Sequence, residues 1–131
     1  MPNPNCVLVT NPNFDLATSY LSAWSDSICE EAKARNMQVH ELRENATRGA
    51  LKERIEKYNP ALIAFNGHGS PDCVTGGNRE VLVKVGENEN ILDSTIVHSL
   101  SCSSASILGP KSVKAGAKAF IGYNQDFVPA A

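Results

Sequence analysis

Residues 61–70 read ALIAFNGHGS, and this stretch decides the fold prediction. The five consecutive apolar residues 61–65 are typical of a short strand covered on both faces, as the strands of parallel sheets are. His68 follows between two glycines, Gly67 and Gly69. Reactive groups in open α/β sheets gather at the carboxyl ends of the strands. The stretch therefore predicts a buried strand that ends in a loop carrying a candidate functional histidine.

A second stretch of the same kind lies at residues 95–105, which read TIVHSLSCSSA. It predicts a strand over residues 95–101 that ends at Cys102. A cysteine attacks a carbonyl carbon only as the thiolate, so it needs a base or a positive neighbour. The small residues after Cys102 favour a sharp turn into a helix, whose N-terminus stabilises negative charge. An imidazole and a thiol at the ends of two strands make a candidate base and nucleophile.

The same two loops supply amide donors for a developing oxyanion. Because a sharp turn is predicted after Cys102, its N–H can face a reacting carbonyl oxygen, and the Gly69 N–H can provide a second donor. Glycine on both sides of His68 lets a substrate approach closely. His98 is interpreted as a packing residue, because its position inside the predicted strand hinders its reach.

Strands and helices alternate along the rest of the chain. Apolar runs predict further strands at residues 6–10, 37–42 and 119–123, the second at a sheet edge because polar residues interrupt it. Extended stretches at 73–75 and 81–85 flank a glycine-rich turn and predict a hairpin. The pattern predicts an α/β fold, a three-layer α/β/α sandwich. It has a mainly parallel five-stranded sheet and a small hairpin between the third and fourth of these strands.

Three helices are predicted between these strands. Two cover residues 16–32 and 47–58, and the third begins at Ser103 and restarts at Pro110, a residue suited to the first turn of a helix. Asp15 precedes the first helix as a candidate N-cap. Apolar residues at every fourth position of that helix predict the stripe that faces the sheet. The stripe consists of Leu16, Tyr20, Trp24, Ile28 and Ala32, with Leu21 beside them.

Length and composition fit a single domain over residues 1–131. With 14 acidic and 12 basic residues the formal net charge is −2, and no basic run is present, so nucleic acid is not an expected partner. No apolar stretch has the length of a membrane span, so no membrane partner is expected. The first residues lack the features of a signal peptide, and the expected location is the cytoplasm.

Metal and cofactor motifs are missing from the sequence. The four cysteines are widely spaced, and together with the three histidines they show no zinc-binding pattern, so no metal is expected. No glycine-rich nucleotide motif follows the first strand, so no cofactor is expected either. The serines near Cys102 do not form the GxSxG turn of a serine nucleophile.

Three segments together resemble the caspase-like cysteine peptidases of clan CD, most closely the gingipain-type and CHAT-domain groups. Residues 61–69 resemble the strand and His-Gly motif of the catalytic histidine. Residues 99–105 resemble the strand and cysteine motif, and residues 108–123 resemble the helix and strand that follow. The order, histidine before cysteine, favours this family over papain-like enzymes, which have the reverse order.

The resemblance implies a function. It implies a cysteine endopeptidase with a His68–Cys102 dyad, an oxyanion hole formed by the Gly69 and Cys102 amides, and peptide hydrolysis through a thioester. The expected partner is a peptide or protein substrate. Several relatives that prefer basic substrates carry an acidic residue two positions before the cysteine, where this chain has Leu100. Asn13 and Asp15, after the first strand, are further candidates for lining the substrate pocket.

Two alternatives stay open at this point. Relatives usually continue with another helix and strand, so we expect a domain that is minimal or truncated at its C-terminus, or one that belongs to a larger assembly or a longer protein. A catalytically inactive caspase-like module for partner binding or regulation is the alternative function. A flavodoxin-like or response-regulator-like binding domain ranks last, because the first strand is followed by neither an acidic pair nor a phosphate loop.

Overall fold

The computed structural model describes residues 2–125, and strands alternate with helices along most of this length. The elements in chain order are β1 (Asn3–Thr10), α1 (Leu16–Ala34), β2 (Gln38–Leu42), α2 (Arg48–Tyr58), β3 (Pro60–Asn66), β4 (Gly69–Ser70), β5 (Cys73–Thr75), β6 (Val81–Lys84), β7 (Ile96–Leu100), α3 (Leu108–Lys114) and β8 (Ala119–Ile121). Two short 3₁₀ turns, Gly77–Arg79 and Glu89–Leu92, flank β6.

The main sheet has five parallel strands in the order β2-β1-β3-β7-β8. The predicted α/β fold with a parallel five-stranded sheet is confirmed, and so is the edge position of β2. In the register between β3 and β7, Asn66 lies beside Leu100. His68 and Cys102 each follow two residues later, so both leave the sheet at the same edge from neighbouring strands.

Alternation along the strands divides the apolar side chains between two faces. Leu8, Ile63 and Val97 belong to the larger core, which packs against α2, α3 and residues of β5 and β6. Val7 and Val9 belong to a smaller cluster on the opposite face, which packs against α1. The sheet therefore lies between two helical layers, as the three-layer prediction requires.

The layer formed by α1 does not cover its whole face of the sheet. Ile96 on β7 is 40% exposed and Ile121 on β8 is 57% exposed. Their strand neighbours Val97 and Phe120 pack into the larger core, so both isoleucines lie on the α1 face. No helix within residues 2–125 is long and apolar enough to cross a bilayer.

A second, antiparallel sheet is formed by β4, β5 and β6. The predicted hairpin corresponds to β5 and β6. The additional strand β4 begins directly after His68, and its first residue, Gly69, pairs with Val74. The Thr75 N–H donates to the His68 carbonyl oxygen over 3.0 Å. The small sheet thus anchors the loop that carries His68.

The predicted inward stripe of α1 is only partly correct, because Leu21 is buried but most of the large apolar residues in the stripe are not. Leu16 is 73% exposed, Trp24 is 45% exposed and Ile28 is 67% exposed. The buried residues of the helix are Thr18, Leu21, Ser22, Ser25 and Cys29. Steps of four residues exceed the 3.6-residue turn, so such a stripe drifts by about 40° at each step.

The predicted start of the third helix is also wrong. The helix begins at Leu108 instead of Ser103, and residues 103–107 form turns. Ser103 has a left-handed backbone with φ of +58°, which a helix does not accommodate. Pro110 lies inside the first turn of α3, where its missing N–H costs no hydrogen bond.

Candidate active site

The loop after β3 is shaped by Gly67. Its φ of +152° is one that residues with a side chain rarely adopt, and a Cβ at this position would lie 3.0 Å from the Thr75 carbonyl oxygen. The Gly67 N–H donates to the Leu100 carbonyl oxygen over 3.3 Å. Gly67 therefore turns the chain away from β3 while it still bonds to β7.

The His68 imidazole contacts a carboxylate from the first loop of the fold. His68 Nε2 lies 2.6 Å from Asp15 Oδ2, and both side chains are partly exposed. The Phe14 ring packs beside the imidazole, with a centroid distance of 5.8 Å and an angle of 52° between the planes. Asp15 is also the N-cap of α1, as predicted, and accepts a hydrogen bond from the Thr18 N–H.

The surroundings of Asp15 determine which imidazole nitrogen carries a proton. Desolvation alone would raise the Asp15 pKa, but hydrogen bonds from Thr18 and His68 outweigh it and lower the pKa to about 2. The carboxylate is then ionised at neutral pH and can only accept. His68 Nε2 must therefore donate to Asp15, which leaves Nδ1 of the neutral imidazole as the nitrogen that can accept a proton.

Gly69 brings the histidine loop into contact with the cysteine loop. A Cβ on Gly69 would lie 2.7 Å from Ser101 Cβ and 2.8 Å from the Cys102 carbonyl oxygen, so only glycine fits. Because the Thr75 N–H bonds to the His68 carbonyl, Gly69 and Val74 form the next, non-hydrogen-bonded pair of the ladder. The Gly69 N–H therefore points away from β5.

Cys102 lies in a turn that the backbone holds in place. The thiol is half-buried and is not part of a disulfide. Ser103 follows in the left-handed conformation, and its N–H donates to the Gln125 carbonyl oxygen over 3.1 Å. The Ala105 N–H donates to the Tyr123 carbonyl oxygen over 2.8 Å. The segment after β8 thus supports the turn that presents Cys102.

The other three cysteines lie in different environments. Cys6 and Cys29 are buried, and burial raises the pKa of both thiols, which disfavours the thiolate. The Cys73 sulfur lies 3.0 Å from Ser70 Oγ on the small sheet. Cys102 alone among the four follows a strand of the main sheet directly beside the His68 loop.

The candidate pocket residues lie in three different places. Asp15 contacts His68, whereas Asn13 is exposed on the loop between β1 and α1. Leu100 lines an apolar cavity of about 290 Å³ between α1 and the sheet, together with Trp24 and Asn66 among others. A role in substrate binding stays a prediction for all three candidates.

Sequence reasoning missed the contact between Asp15 and His68. Asp15 was expected as a helix cap and a pocket residue, and the cap is confirmed, but the histidine contact was not expected. A signal was available, because Asp15 follows β1 and His68 follows β3. Two strands that are neighbours in a parallel sheet bring the residues after their carboxyl ends together.

Positive charge also lies near this pair. Arg79 Nη2 is 4.0 Å from Asp15 Oδ2, and the arginine side chain is mostly exposed.

No group of three or more histidine, cysteine, aspartate or glutamate side chains within residues 2–125 is arranged to hold a metal ion.

The fold and the site together define an α/β protein whose parallel sheet carries a histidine–carboxylate pair and a cysteine at one edge. Compared with known proteins, the chain matches no family model and no curated protein.

Proposed function

We propose that this protein is a cysteine endopeptidase of the caspase-like type. The observation that carries the proposal is the close approach of Gly69 to Ser101 Cβ and to the backbone of Cys102. This contact sets the loop of the candidate base against the loop of the candidate nucleophile. Support also comes from the hydrogen bond between His68 and Asp15, which fixes the imidazole.

The chemistry has two steps. In the first, His68 Nδ1 accepts the proton of the Cys102 thiol, and the resulting thiolate attacks the carbonyl carbon of a peptide bond, so that a carbon–sulfur bond forms. The oxyanion accepts hydrogen bonds from the N–H groups of Gly69 and Cys102. As the carbon–nitrogen bond breaks, the protonated His68 gives its Nδ1 proton to the leaving amine, and a thioester remains.

In the second step, water attacks the thioester while His68 Nδ1 accepts a proton from it. The carbon–sulfur bond breaks, the acid product leaves, and the proton on His68 Nδ1 returns to the Cys102 sulfur, which restores the thiol and the neutral imidazole. Throughout, Asp15 accepts a hydrogen bond from Nε2 and stabilises the imidazolium form of His68 by its negative charge.

Turnover of a fluorogenic peptide library, with every amino acid at the position before the scissile bond, tests this proposal. Cys102→Ala should abolish hydrolysis. The matched control is Cys73→Ala, which removes another half-buried thiol and should leave hydrolysis unchanged. Hydrolysis that persists in Cys102→Ala would exclude the mechanism.

A catalytically inactive module that binds a partner is the second candidate function. The exposed apolar side chains on the α1 face, Ile96 and Ile121, favour it, because apolar sheet faces are normally covered. This candidate predicts no hydrolysis of any library member by the wild-type chain. Hydrolysis that depends on Cys102 would reject it.

A further inference from the structure

The side chain of Thr18 is completely buried. All the hydrogen bonds of its hydroxyl are made with Phe14 and Asp15. It accepts from the Phe14 N–H and from the Asp15 N–H, each over 3.0 Å. Its single proton goes to Asp15 Oδ1 over 2.8 Å, and the Asp15 carbonyl oxygen shares it over a longer 3.2 Å. One donor and two acceptor positions are all that a hydroxyl offers, so the bonding capacity of Thr18 is filled.

These two residues are also the ones that contact the His68 ring from the first loop. Phe14 packs beside the imidazole, and Asp15 Oδ2 bonds to Nε2. The two carboxylate oxygens of Asp15 therefore have separate partners, with Oδ1 held by Thr18 and Oδ2 held by His68. Rotation of the carboxylate would break both sets of bonds together.

We propose that Thr18 is a positioning residue for His68, acting through Asp15 and Phe14. Its hydroxyl fixes the backbone of both residues and, together with the Thr18 N–H, the rotation of the carboxylate, and this in turn keeps the proton of the neutral imidazole on Nε2. A threonine that only caps α1 would stabilise the helix without affecting the imidazole. The inference about the imidazole stands on these contacts, and only its consequence for turnover rests on the proposed function.

The direct test is the ¹⁵N spectrum of the His68 ring, recorded at a pH where the imidazole is neutral, which reports which nitrogen carries the proton. We expect the wild type to show a protonated Nε2 and an unprotonated Nδ1. Thr18→Val keeps the side-chain volume and removes the hydroxyl, so the two ring signals should move toward each other as the tautomers mix. Thr18→Ser restores the hydroxyl and should restore the wild-type spectrum.

Two further variants separate positioning from loss of stability. Thr47 caps α2 through a hydrogen bond from the Ala50 N–H, so Thr47→Val removes a threonine hydroxyl at the other long helix. It should lower stability and leave the His68 signals unchanged. Thr18→Cys keeps a weakly hydrogen-bonding group of similar size, and it replaces Thr18→Val in the test if that variant does not fold. Its signals should lie between those of the wild type and of mixed tautomers.

Turnover gives an independent second readout. Misplacement of a catalytic group by about 1 Å can cost about 100-fold, so kcat/KM should fall by roughly 10- to 100-fold in Thr18→Val and recover in Thr18→Ser. If the wild type hydrolyses no peptide while the ¹⁵N signals change as expected, the proposed function fails and the positioning role stands. Ring signals that are unchanged in both Thr18→Val and Thr18→Cys would overturn the positioning role.

Discussion

The loop after β3 and the loop after β7 hold their candidate functional residues in different ways. Side chains hold His68: Asp15 bonds to its ring, and the Thr75 hydroxyl bonds to its carbonyl oxygen over 2.8 Å. Cys102 is presented mainly by backbone geometry, through the left-handed Ser103 and amide bonds to the segment after β8. One side chain adds to this, since the Ser104 hydroxyl contacts Ser99 Oγ and donates to the Ser101 carbonyl oxygen. Removing one contacting side chain at a time should therefore weaken the histidine loop in separate steps. The cysteine loop should respond mainly to substitutions that alter its backbone conformation.

The largest effect is expected where the two loops meet. Gly69→Ala places a Cβ 2.7 Å from Ser101 Cβ, and a backbone must shift, since no flexible side chain can move away. Crowding of this kind costs about 1–3 kcal/mol. Urea denaturation should show this loss of stability, and hydrolysis should fall with it.

Gly49→Ala is the matched control, because a Cβ at Gly49 in α2 has no heavy atom within 4 Å. It should stabilise the protein by about 0.5–1 kcal/mol, since alanine favours a helix more than glycine does. Equal changes in the free energy of unfolding for Gly69→Ala and Gly49→Ala would show that the histidine and cysteine loops are not in contact.

The cysteine loop should be sensitive to the backbone at Ser103. Valine and glycine both remove the hydroxyl, so comparing Ser103→Val with Ser103→Gly isolates the left-handed conformation. The valine variant should be less stable by about 1–2 kcal/mol, because a Cβ is unfavourable in this region. Thermal or urea unfolding measures the difference in stability. Equal stabilities of the two variants would contradict the left-handed conformation of Ser103.

The histidine loop should lose stability in acid. The Asp15 pKa is about 2 in the folded protein and near the ordinary value of about 3.9 in the unfolded chain. A lowered pKa contributes stability that is fully present above about pH 4 and is lost as the pH falls toward 2. Because the carboxylate is about one-third exposed, solvent screening reduces the contribution to about 1 kcal/mol.

The measurement is the free energy of unfolding between pH 6 and pH 2 for the wild type and for Asp15→Asn. The difference between the two proteins should shrink by about 1 kcal/mol over this range. If the difference in the free energy of unfolding stays constant with pH, the hydrogen bonds of the Asp15 carboxylate do not stabilise the folded protein.

The smallest effect is expected at Thr75, because its N–H continues to bond to the His68 carbonyl after the hydroxyl is removed. Thr75→Val should cost about 0.5–1 kcal/mol and lower hydrolysis a few-fold. Thr95→Val removes another buried hydroxyl, which bonds to the Leu92 carbonyl oxygen over 2.6 Å. It should have a similar effect on stability and none on hydrolysis; equal losses of hydrolysis would contradict a specific role for Thr75.

Much of the main sheet could be predicted because its strands are marked by local patterns. Apolar runs such as residues 61–65 identify strands that are covered on both faces, and polar interruption marked β2 as an edge strand. The helix α1 was placed correctly but rotated incorrectly. Its inward face combines Leu21 with small residues such as Ser22 and Ser25, and a search for large apolar residues does not find these serines.

The site was predictable only in part. His68 and Cys102 could be identified because each directly follows an apolar run. The bond from Asp15 to His68 joins residues 53 positions apart, so it depends on strand order and has no local pattern. The contact of Gly69 with Ser101 depends in the same way on tertiary packing, and it carries the proposed function.

The joint action of His68 and Cys102 is tested most directly by a double-mutant cycle in peptide hydrolysis. The four proteins are the wild type, His68→Ala, Cys102→Ser and the double variant, all measured with the same library substrate. Residues that act as one catalytic unit are strongly non-additive. We expect the double variant to be no slower than the slower single variant. Two losses that multiply in the double variant would show independent action and contradict the dyad.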